Sequence, residues 1–110
     1  MKDHVKTRHR DLTEKILTLD ELSATVTKLK SDGHKIVHCH GVFDLVHPGH
    51  IRHLEAASRL GDKLVVTITA DQFVNKGPGR PVFNSELRAE TLAALECVEL
   101  VGINDAPNAV

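Results

Sequence analysis

The chain has 110 residues, of which 41% are hydrophobic, enough for one small domain with a core of its own. Aromatic residues make up only 3%, so this core must be aliphatic. Fourteen basic and fifteen acidic residues leave a net charge of −1, which gives no reason to expect broad electrostatic binding of nucleic acid or of an anionic membrane. The apolar runs are far shorter than the ~20 residues of a membrane span, and the N-terminus lacks the apolar centre of a secretory signal. A cytoplasmic location is the default expectation.

The first part of the chain divides into an arm and the start of a domain. Residues 1–17 are polar and basic without sustained periodicity, and they are predicted to form a flexible N-terminal arm ahead of a domain at residues 18–110. Thr18 to Glu21 has the capping-box pattern that begins a helix, and Asp32-Gly33 ends that helix. Lys35 to Cys39 then predicts a short strand that is covered on both faces.

Helices and strands alternate through the rest of the chain. This alternation specifies a parallel sheet, and ligands of open parallel sheets bind beyond the carboxyl ends of the strands. Two loops, residues 40–50 and 71–83, leave the carboxyl ends of adjacent strands and are therefore predicted to converge on one site. The further predicted elements are a helix from Pro48 to Gly61, a strand from Leu64 to Ala70, a helix from Asn84 to about Glu96 and a strand from Cys97 to Ile103. The helix that begins at Asn84 is predicted to turn Leu87, Leu92 and Leu95 to the core.

The most informative stretch runs from Gly41 to His50. It reads as a tight glycine turn after a buried strand, followed by a helix that opens near Pro48. The start of a helix carries roughly half a positive charge and several unpaired N–H donors, so it binds phosphate readily. His47 and His50 lie three residues apart on the first turn, and both can face such a phosphate.

These residues carry a resemblance to a known family. His47 to His50 form an H-x-G-H motif, and together with Gly41 to Asp44 the segment resembles the cytidylyltransferase-like nucleotidyltransferases. The stretch from Asn75 to Val82 is similar to the Lys-Gly-x-x-Arg-Pro-Val segment of the heptose-1-phosphate adenylyltransferase domain, which in many bacteria is fused to a sugar kinase. Glycerol-3-phosphate cytidylyltransferase is the next relative in likeness. The resemblance covers about Lys35 to Ile103 and implies a Rossmann-like three-layer α/β sandwich with a parallel sheet, here lacking its C-terminal part.

The resemblance also implies a reaction. A nucleotidyltransferase of this type moves a nucleoside monophosphate from ATP or CTP onto a sugar phosphate or a polyol phosphate and releases pyrophosphate, with Mg²⁺ bound to the triphosphate. It further implies a homodimer and a sugar kinase domain or partner subunit. One alternative is a truncated nucleotide-binding domain without turnover. A redox enzyme of the dinucleotide-binding type is excluded, because no G-x-G-x-x-G follows the first strand.

Three residues are assigned to catalysis through the resemblance: His47, His50 and Lys76. The alternative for the two histidines is that His47 only caps the helix and His50 only lies on the surface. The nucleotide-binding residues that the resemblance implies are Gly41, Val42, Phe43, Asp44, Gly49, Asp71, Arg80 and Arg88.

Several of these nucleotide-binding assignments keep a structural alternative. The two glycines could serve a plain turn at positive φ, and Phe43 could pack in the core under the loop. Asp44 could hold the loop through an Asx-type bond, and Asp71 could cap a turn. Arg88 could pair with Asp71 or with Glu86. The cations Lys76 and Arg80 could simply be solvated.

Five histidines fall within residues 38–53, so a zinc site has to be weighed. His38 and His40 point to the same side of the predicted strand. However, there is no C-x-x-C or H-E-x-x-H frame to supply the usual co-ligands, and the phosphate role already explains two of the five. No protein-held metal is therefore predicted. His40 precedes the glycine at a position where relatives often carry a small or polar residue, which points to an effect on base or substrate preference.

Overall fold

The computed structural model describes residues 12–74, 79 and 81–105. Helices and strands alternate through these residues, as the sequence predicts. The described elements are α1 (Leu12–Lys15), β1 (Ile16–Leu17), α2 (Leu19–Ser31), β2 (Ile36–Gly41), α3 (Pro48–Ser58), β3 (Lys63–Thr69), a 3₁₀ turn (Asp71–Phe73), α4 (Ser85–Ala93) and β4 (Leu100–Asn104).

The four strands form one parallel sheet in the order β1-β4-β3-β2. Strand β3 pairs with β2 on one side and with β4 on the other, and the register places the Cα of His40 beside that of Thr67. Because all strands run the same way, their carboxyl ends lie along a single edge. The two predicted site loops both leave this edge.

Helices cover both faces of the sheet. On one face, Leu54 of α3 and Leu92 of α4 pack with Val66 in the larger core cluster. On the other face, Leu22 of α2 packs with Val65. The side chains of successive β3 residues therefore enter opposite cores, which makes β3 the buried centre of the sheet. The prediction of a three-layer α/β sandwich with a parallel sheet is confirmed.

The predicted helix starts are confirmed by their caps. The Thr18 hydroxyl accepts the Glu21 N–H at 3.1 Å while the Glu21 carboxylate accepts the Thr18 N–H at 3.0 Å, which completes the capping box. The Asn84 side chain caps α4 by accepting the Leu87 N–H at 2.9 Å. One inward side chain was predicted wrongly: Leu87 is exposed, because the buried stripe of α4 passes through positions such as Leu92 and leaves Leu87 outside it.

Both cysteines behave as small hydrophobic residues. Cys39 and Cys97 are half-buried and pack against the larger core cluster. Burial raises the pKa of both thiols, and the nearby Glu55 carboxylate adds to the effect at Cys97. Both thiols are consequently protonated at neutral pH.

Part of the predicted arm is ordered. Residues 1–11 lie outside the described residues, but residues 12–17 form α1 and β1, and Ile16–Leu17 pairs in parallel with β4. The Lys15 ammonium donates to the carbonyls of Ala93 and Val98 at 2.9 and 2.8 Å, and to that of Leu95 at 3.3 Å. A flexible arm was the wrong expectation for residues 12–17, since their partners lie far along the chain.

This ammonium provides a stability test that is independent of the site. Lys15→Met removes the donor from three carbonyls at the end of α4, so we expect the free energy of unfolding to fall by about 1–3 kcal/mol. Lys28→Met is the matched control, because Lys28 is exposed and its ion pair, at 3.5 Å, is with the exposed Asp32. The control should change stability by no more than about 0.5 kcal/mol. Urea denaturation of both variants measures the difference, and equal losses would show that Lys15 does not tie the N-terminal segment to α4.

Candidate functional site

The Gly41–His50 segment folds as the sequence predicts, with a strand leading through a turn into the start of α3. His47 is the N-cap residue of α3, with extended backbone angles, and Pro48 occupies the first turn. Proline suits this position because its ring presets the helical φ and its missing N–H would have been unpaired in any case. The first turn of α3 thus lies at the carboxyl edge of the sheet.

His47 and His50 form a capping box with each other. The His47 Nδ1 accepts the Gly49 N–H at 3.0 Å, and the His50 Nδ1 accepts the His47 N–H at 3.2 Å. A ring nitrogen that accepts a hydrogen bond carries no proton, so in each neutral ring the proton lies on Nε2. The ring centroids are 4.0 Å apart. The cap therefore holds two Nε2–H donors side by side at the mouth of the helix.

The two glycines of this segment are needed for close packing rather than for an unusual backbone angle. A Cβ on Gly41 would lie 2.8 Å from the Phe43 ring, and a Cβ on Gly49 would lie 2.7 Å from the His47 ring. Neither of these two glycines has a positive φ. Phe43, in contrast, adopts a left-handed φ of 52°. The centroid of its ring lies 5.6 Å from that of the His50 ring, in a T-shaped arrangement. Phe43 also packs against the larger core cluster, as its structural alternative predicted.

Asp44 joins the first loop to the second. The residue is 7% exposed, and its two carboxylate oxygens accept the N–H groups of Val82 and Phe83 at 2.8 and 3.0 Å. This geometry matches the alternative in which Asp44 holds the loop, although here the bonds reach 38 residues along the chain. The predicted convergence of the two loops is confirmed at this point.

Arg88 is a second and larger junction. Its side chain is fully buried, and its three guanidinium nitrogens donate to Phe83 O at 3.0 Å, to Val42 O at 2.8 Å and to Asp71 Oδ1 at 2.7 Å. A buried guanidinium requires such acceptors, because its charge has lost its water. The pairing with Asp71 was one of the two structural alternatives for Arg88, whereas the alternative for Asp71 was to cap a turn. In this structure the guanidinium binds protein rather than an open site, so its nucleotide-binding role remains only a prediction.

The two cations of the second loop, Lys76 and Arg80, lie outside the described residues. The segments on either side of them are described. The 3₁₀ turn that begins at Asp71 is tied to Arg88, and Val82 and Phe83 are tied to Asp44. Both ends of the predicted cationic loop are therefore anchored beside the start of α3.

The other histidines take different positions. His38 and His40 do point to the same side of β2, where both approach the hydroxyl of Thr67. His53 is exposed on α3, as the phosphate interpretation expects. Sequence reasoning missed Thr67 and its neighbour Thr69, although their alternate spacing on β3 matches that of the two histidines on β2. Strand register was the missing information.

Within residues 12–74, 79 and 81–105, three or more His, Cys, Asp or Glu side chains nowhere converge as a metal site. No helix in the same part of the chain has both the length and the apolar character that crossing a bilayer requires.

Comparison with known proteins gives consistent results. The model of a family described as cytidylyltransferase-like matches residues 38–107. The bifunctional protein HldE of Methylobacillus flagellatus is 45% identical over 94 residues, which cover 84% of this chain and 19% of that protein. HldE of Trichlorobacter lovleyi is 38% identical over 99 residues, which cover 88% of this chain and 20% of that protein. This chain thus spans about a fifth of the length of these curated relatives.

A solved structure is similar over much of the fold. The lipopolysaccharide core biosynthesis protein from Thermoplasma volcanium has a TM-score of 0.61 and 32% sequence identity to this chain. The match covers 66% of this chain and 60% of that one.

Proposed function

This chain belongs to the cytidylyltransferase-like family, and from that premise we propose that it transfers a nucleoside monophosphate from ATP to a sugar 1-phosphate. The observation that carries the proposal is the pair of Nε2–H donors at the start of α3. They lie where a helix N-terminus already favours anions, at the carboxyl edge of an open parallel sheet.

The proposed reaction is a single displacement. A phosphate oxygen of the acceptor attacks the α-phosphorus and forms a new P–O bond, while the bond from the α-phosphorus to the bridging oxygen breaks and pyrophosphate leaves. Such a transfer depends mainly on alignment and on stabilisation of the charge that builds up on the phosphoryl oxygens. His47 and His50 supply Nε2–H donors for that charge at the start of α3. Lys76 and Arg80 complete the proposal as cations that bind phosphate from the second loop.

Mg²⁺ is part of the proposal through the nucleotide. The ion neutralises phosphoryl charge and takes most of its ligands from phosphate and water, so it does not require a cage of protein ligands. Asp44 and Asp71 are the carboxylates of the two site loops, and both already bind protein groups. We therefore assign Mg²⁺ to the triphosphate, with these side chains shaping the loops around it.

The choice of ATP and a heptose 1-phosphate is supported by the likeness of Asn75 to Val82 to the heptose-type loop and by similarity to HldE proteins, which are named as bifunctional. We propose, with this choice, a sugar kinase domain or subunit that works beside this chain and supplies its sugar phosphate. We also propose a homodimer, on the family resemblance alone.

The test is a substrate screen on the full chain. ATP and CTP are each combined with heptose 1-phosphate and with glycerol 3-phosphate in the presence of Mg²⁺, and pyrophosphate release is measured. We expect the ATP and heptose 1-phosphate pair to give the highest kcat/KM. Highest activity with CTP and glycerol 3-phosphate would instead favour the other resembling enzyme. Binding of nucleotide without pyrophosphate release from any pair would contradict catalysis and favour a nucleotide-binding domain.

A further inference from the structure

Two histidines and two threonines that play no part in the proposed phosphate chemistry form a continuous network. His38 Nε2 lies 2.8 Å from Thr67 Oγ1, and His40 Nδ1 lies 2.7 Å from the same oxygen. His40 Nε2 continues the chain to Thr69 Oγ1 at 3.3 Å. We call these four residues the histidine–threonine network. The contact between His40 Nε2 and Thr69 Oγ1 is long for a hydrogen bond that involves a hydroxyl. These two atoms therefore form the weakest hydrogen bond of the network.

The network occupies the sheet face opposite to α3. Thr67 shares its face with Val65, which packs under α2, whereas Val66 belongs to the core beneath α3 and α4. His40 directly precedes Gly41, and Thr69 is the last residue of β3, so the long contact lies at the carboxyl edge. The end of β2 therefore lies between two places. A polyphosphate would bind on one side of it, at the start of α3, and a ligand group would bind on the other side, at the network.

A cavity of about 370 Å³ lies on the same face. Its lining includes His38, Thr67 and the buried Asn104, together with apolar side chains such as Val26 and Val65. This volume falls within the range of ligand pockets, about 300–1,000 Å³, and such pockets combine an apolar wall with a few polar groups that fix orientation. The His38 and Thr67 end of the network thus borders a space in which a small molecule fits, and His40 and Thr69 lie beyond this lining, toward the carboxyl edge.

Proton counting indicates which chemical group the network suits. Thr67 has one proton and meets two imidazoles, so it donates to one ring and accepts from the other. If Thr67 donates to His40 Nδ1, the ring proton lies on Nε2, which then donates to Thr69. If Thr67 accepts from His40 Nδ1, the Nε2 atom carries no proton and accepts from Thr69. A sugar hydroxyl both donates and accepts and therefore fits either arrangement, whereas a phosphate oxygen only accepts. Partial burial, followed by the nearby His40, lowers the pKa of His38, which favours its neutral ring.

We propose that the histidine–threonine network binds hydroxyl groups of the acceptor sugar, with His40 Nε2 and Thr69 Oγ1 as the direct contacts and with Thr67 and His38 as positioning residues. This inference rests on the proposed function and adds the group that distinguishes one acceptor from another. Under this proposal, the phosphates common to every substrate pair bind at the start of α3, while the network contacts the uncharged part of the acceptor.

Kinetics of the full chain test the inference first. His40→Leu should raise KM for heptose 1-phosphate about tenfold, as expected for the loss of one or two hydrogen bonds to an uncharged group, and should change KM for ATP less than about twofold. His40→Gln keeps a donor and an acceptor and should restore most of the affinity. His53→Leu removes an exposed imidazole and should leave both KM values unchanged. An equal rise of both KM values in His40→Leu, or no rise in either, would overturn the inference.

A binding measurement separates this inference from the proposed function. In protein labelled with ¹⁵N at histidine, the ring nitrogens of His40 should shift when heptose 1-phosphate is added and should not shift with inorganic phosphate, which has no sugar hydroxyls. This readout needs no turnover, so an absence of pyrophosphate release would contradict the proposed function alone. A shift caused by ATP and not by heptose 1-phosphate would show that the network serves the nucleotide, and no shift with either would also overturn the inference.

Discussion

His47→Ala is expected to lower kcat for nucleotidyl transfer by about 100-fold to 1,000-fold, the loss typical for removal of one donor that stabilises transition-state charge. The reason lies in the geometry of the cap, which sets the His47 Nε2–H beside that of His50 at the mouth of α3. Pyrophosphate release under saturating nucleotide and acceptor measures the effect. His50→Ala should give a loss of similar size.

Alanine also removes the helix cap, so a second variant must separate the two roles of His47. His47→Asn replaces the cap, because asparagine is among the best N-cap residues, but it has no group equivalent to Nε2–H. His50→Gln similarly keeps the third-position partner of a capping box. We expect His47→Ala to cost about 1 kcal/mol of stability and His47→Asn to cost little, while both lose activity. Full activity in His47→Asn would show that the histidine only caps α3.

Arg88→Met is expected to produce the largest loss of stability, about 3 kcal/mol or more. Methionine leaves the carbonyls of Val42 and Phe83 without their donor and separates Asp71 from its ion pair. A small domain has a total stability of about 5–15 kcal/mol, so the variant should unfold at a much lower urea concentration. Arg88→Lys should recover only part of the loss, because one ammonium cannot reproduce the planar fork of a guanidinium.

The control for Arg88 is an arginine without such a junction. Arg52 is exposed on α3, and Arg52→Met should change stability by no more than about 0.5 kcal/mol. Asp71→Asn keeps an acceptor for the guanidinium, and Asp71 is 42% exposed, so its loss should be closer to 1 kcal/mol. If Arg88→Met proved no more harmful than Arg52→Met, the guanidinium would not be needed to join the loops, and direct contact with nucleotide would become the better explanation.

Local patterns predicted most of the fold because the relevant signals are local. The capping box at Thr18 and the strand-turn-helix at Gly41 to His50 depend on residues close together in the chain, and the structure contains both. The strand Ile16–Leu17 was missed because two residues carry no periodicity, and its partner β4 lies far along the chain. Sheet pairing at such a distance is not visible in a single sequence.

The site was predicted less completely, because several of its contacts join residues that are far apart in the chain. The motif indicated that His47 lies at a helix start, but the role of Arg88 depends on acceptors at Val42, Asp71 and Phe83, which only the folded chain brings together. Asp71 was named as one of two neighbours for Arg88, and the structure contains this pair. The partnership of His40 with Thr67 required the register between β2 and β3, which neither strand specifies alone.

The imidazole cap on α3 has a further consequence for ligand choice. The rings of His50 and His47 accept the backbone N–H groups of His47 and Gly49, which an anion would otherwise take. A small anion such as chloride or inorganic phosphate must compete with these internal acceptors and gains little in return. A triphosphate offers enough oxygens to bind the Nε2–H groups while the Nδ1 atoms keep their backbone hydrogen bonds. We therefore expect the resting cap to screen out abundant simple anions and to keep the helix mouth available for extended polyphosphates.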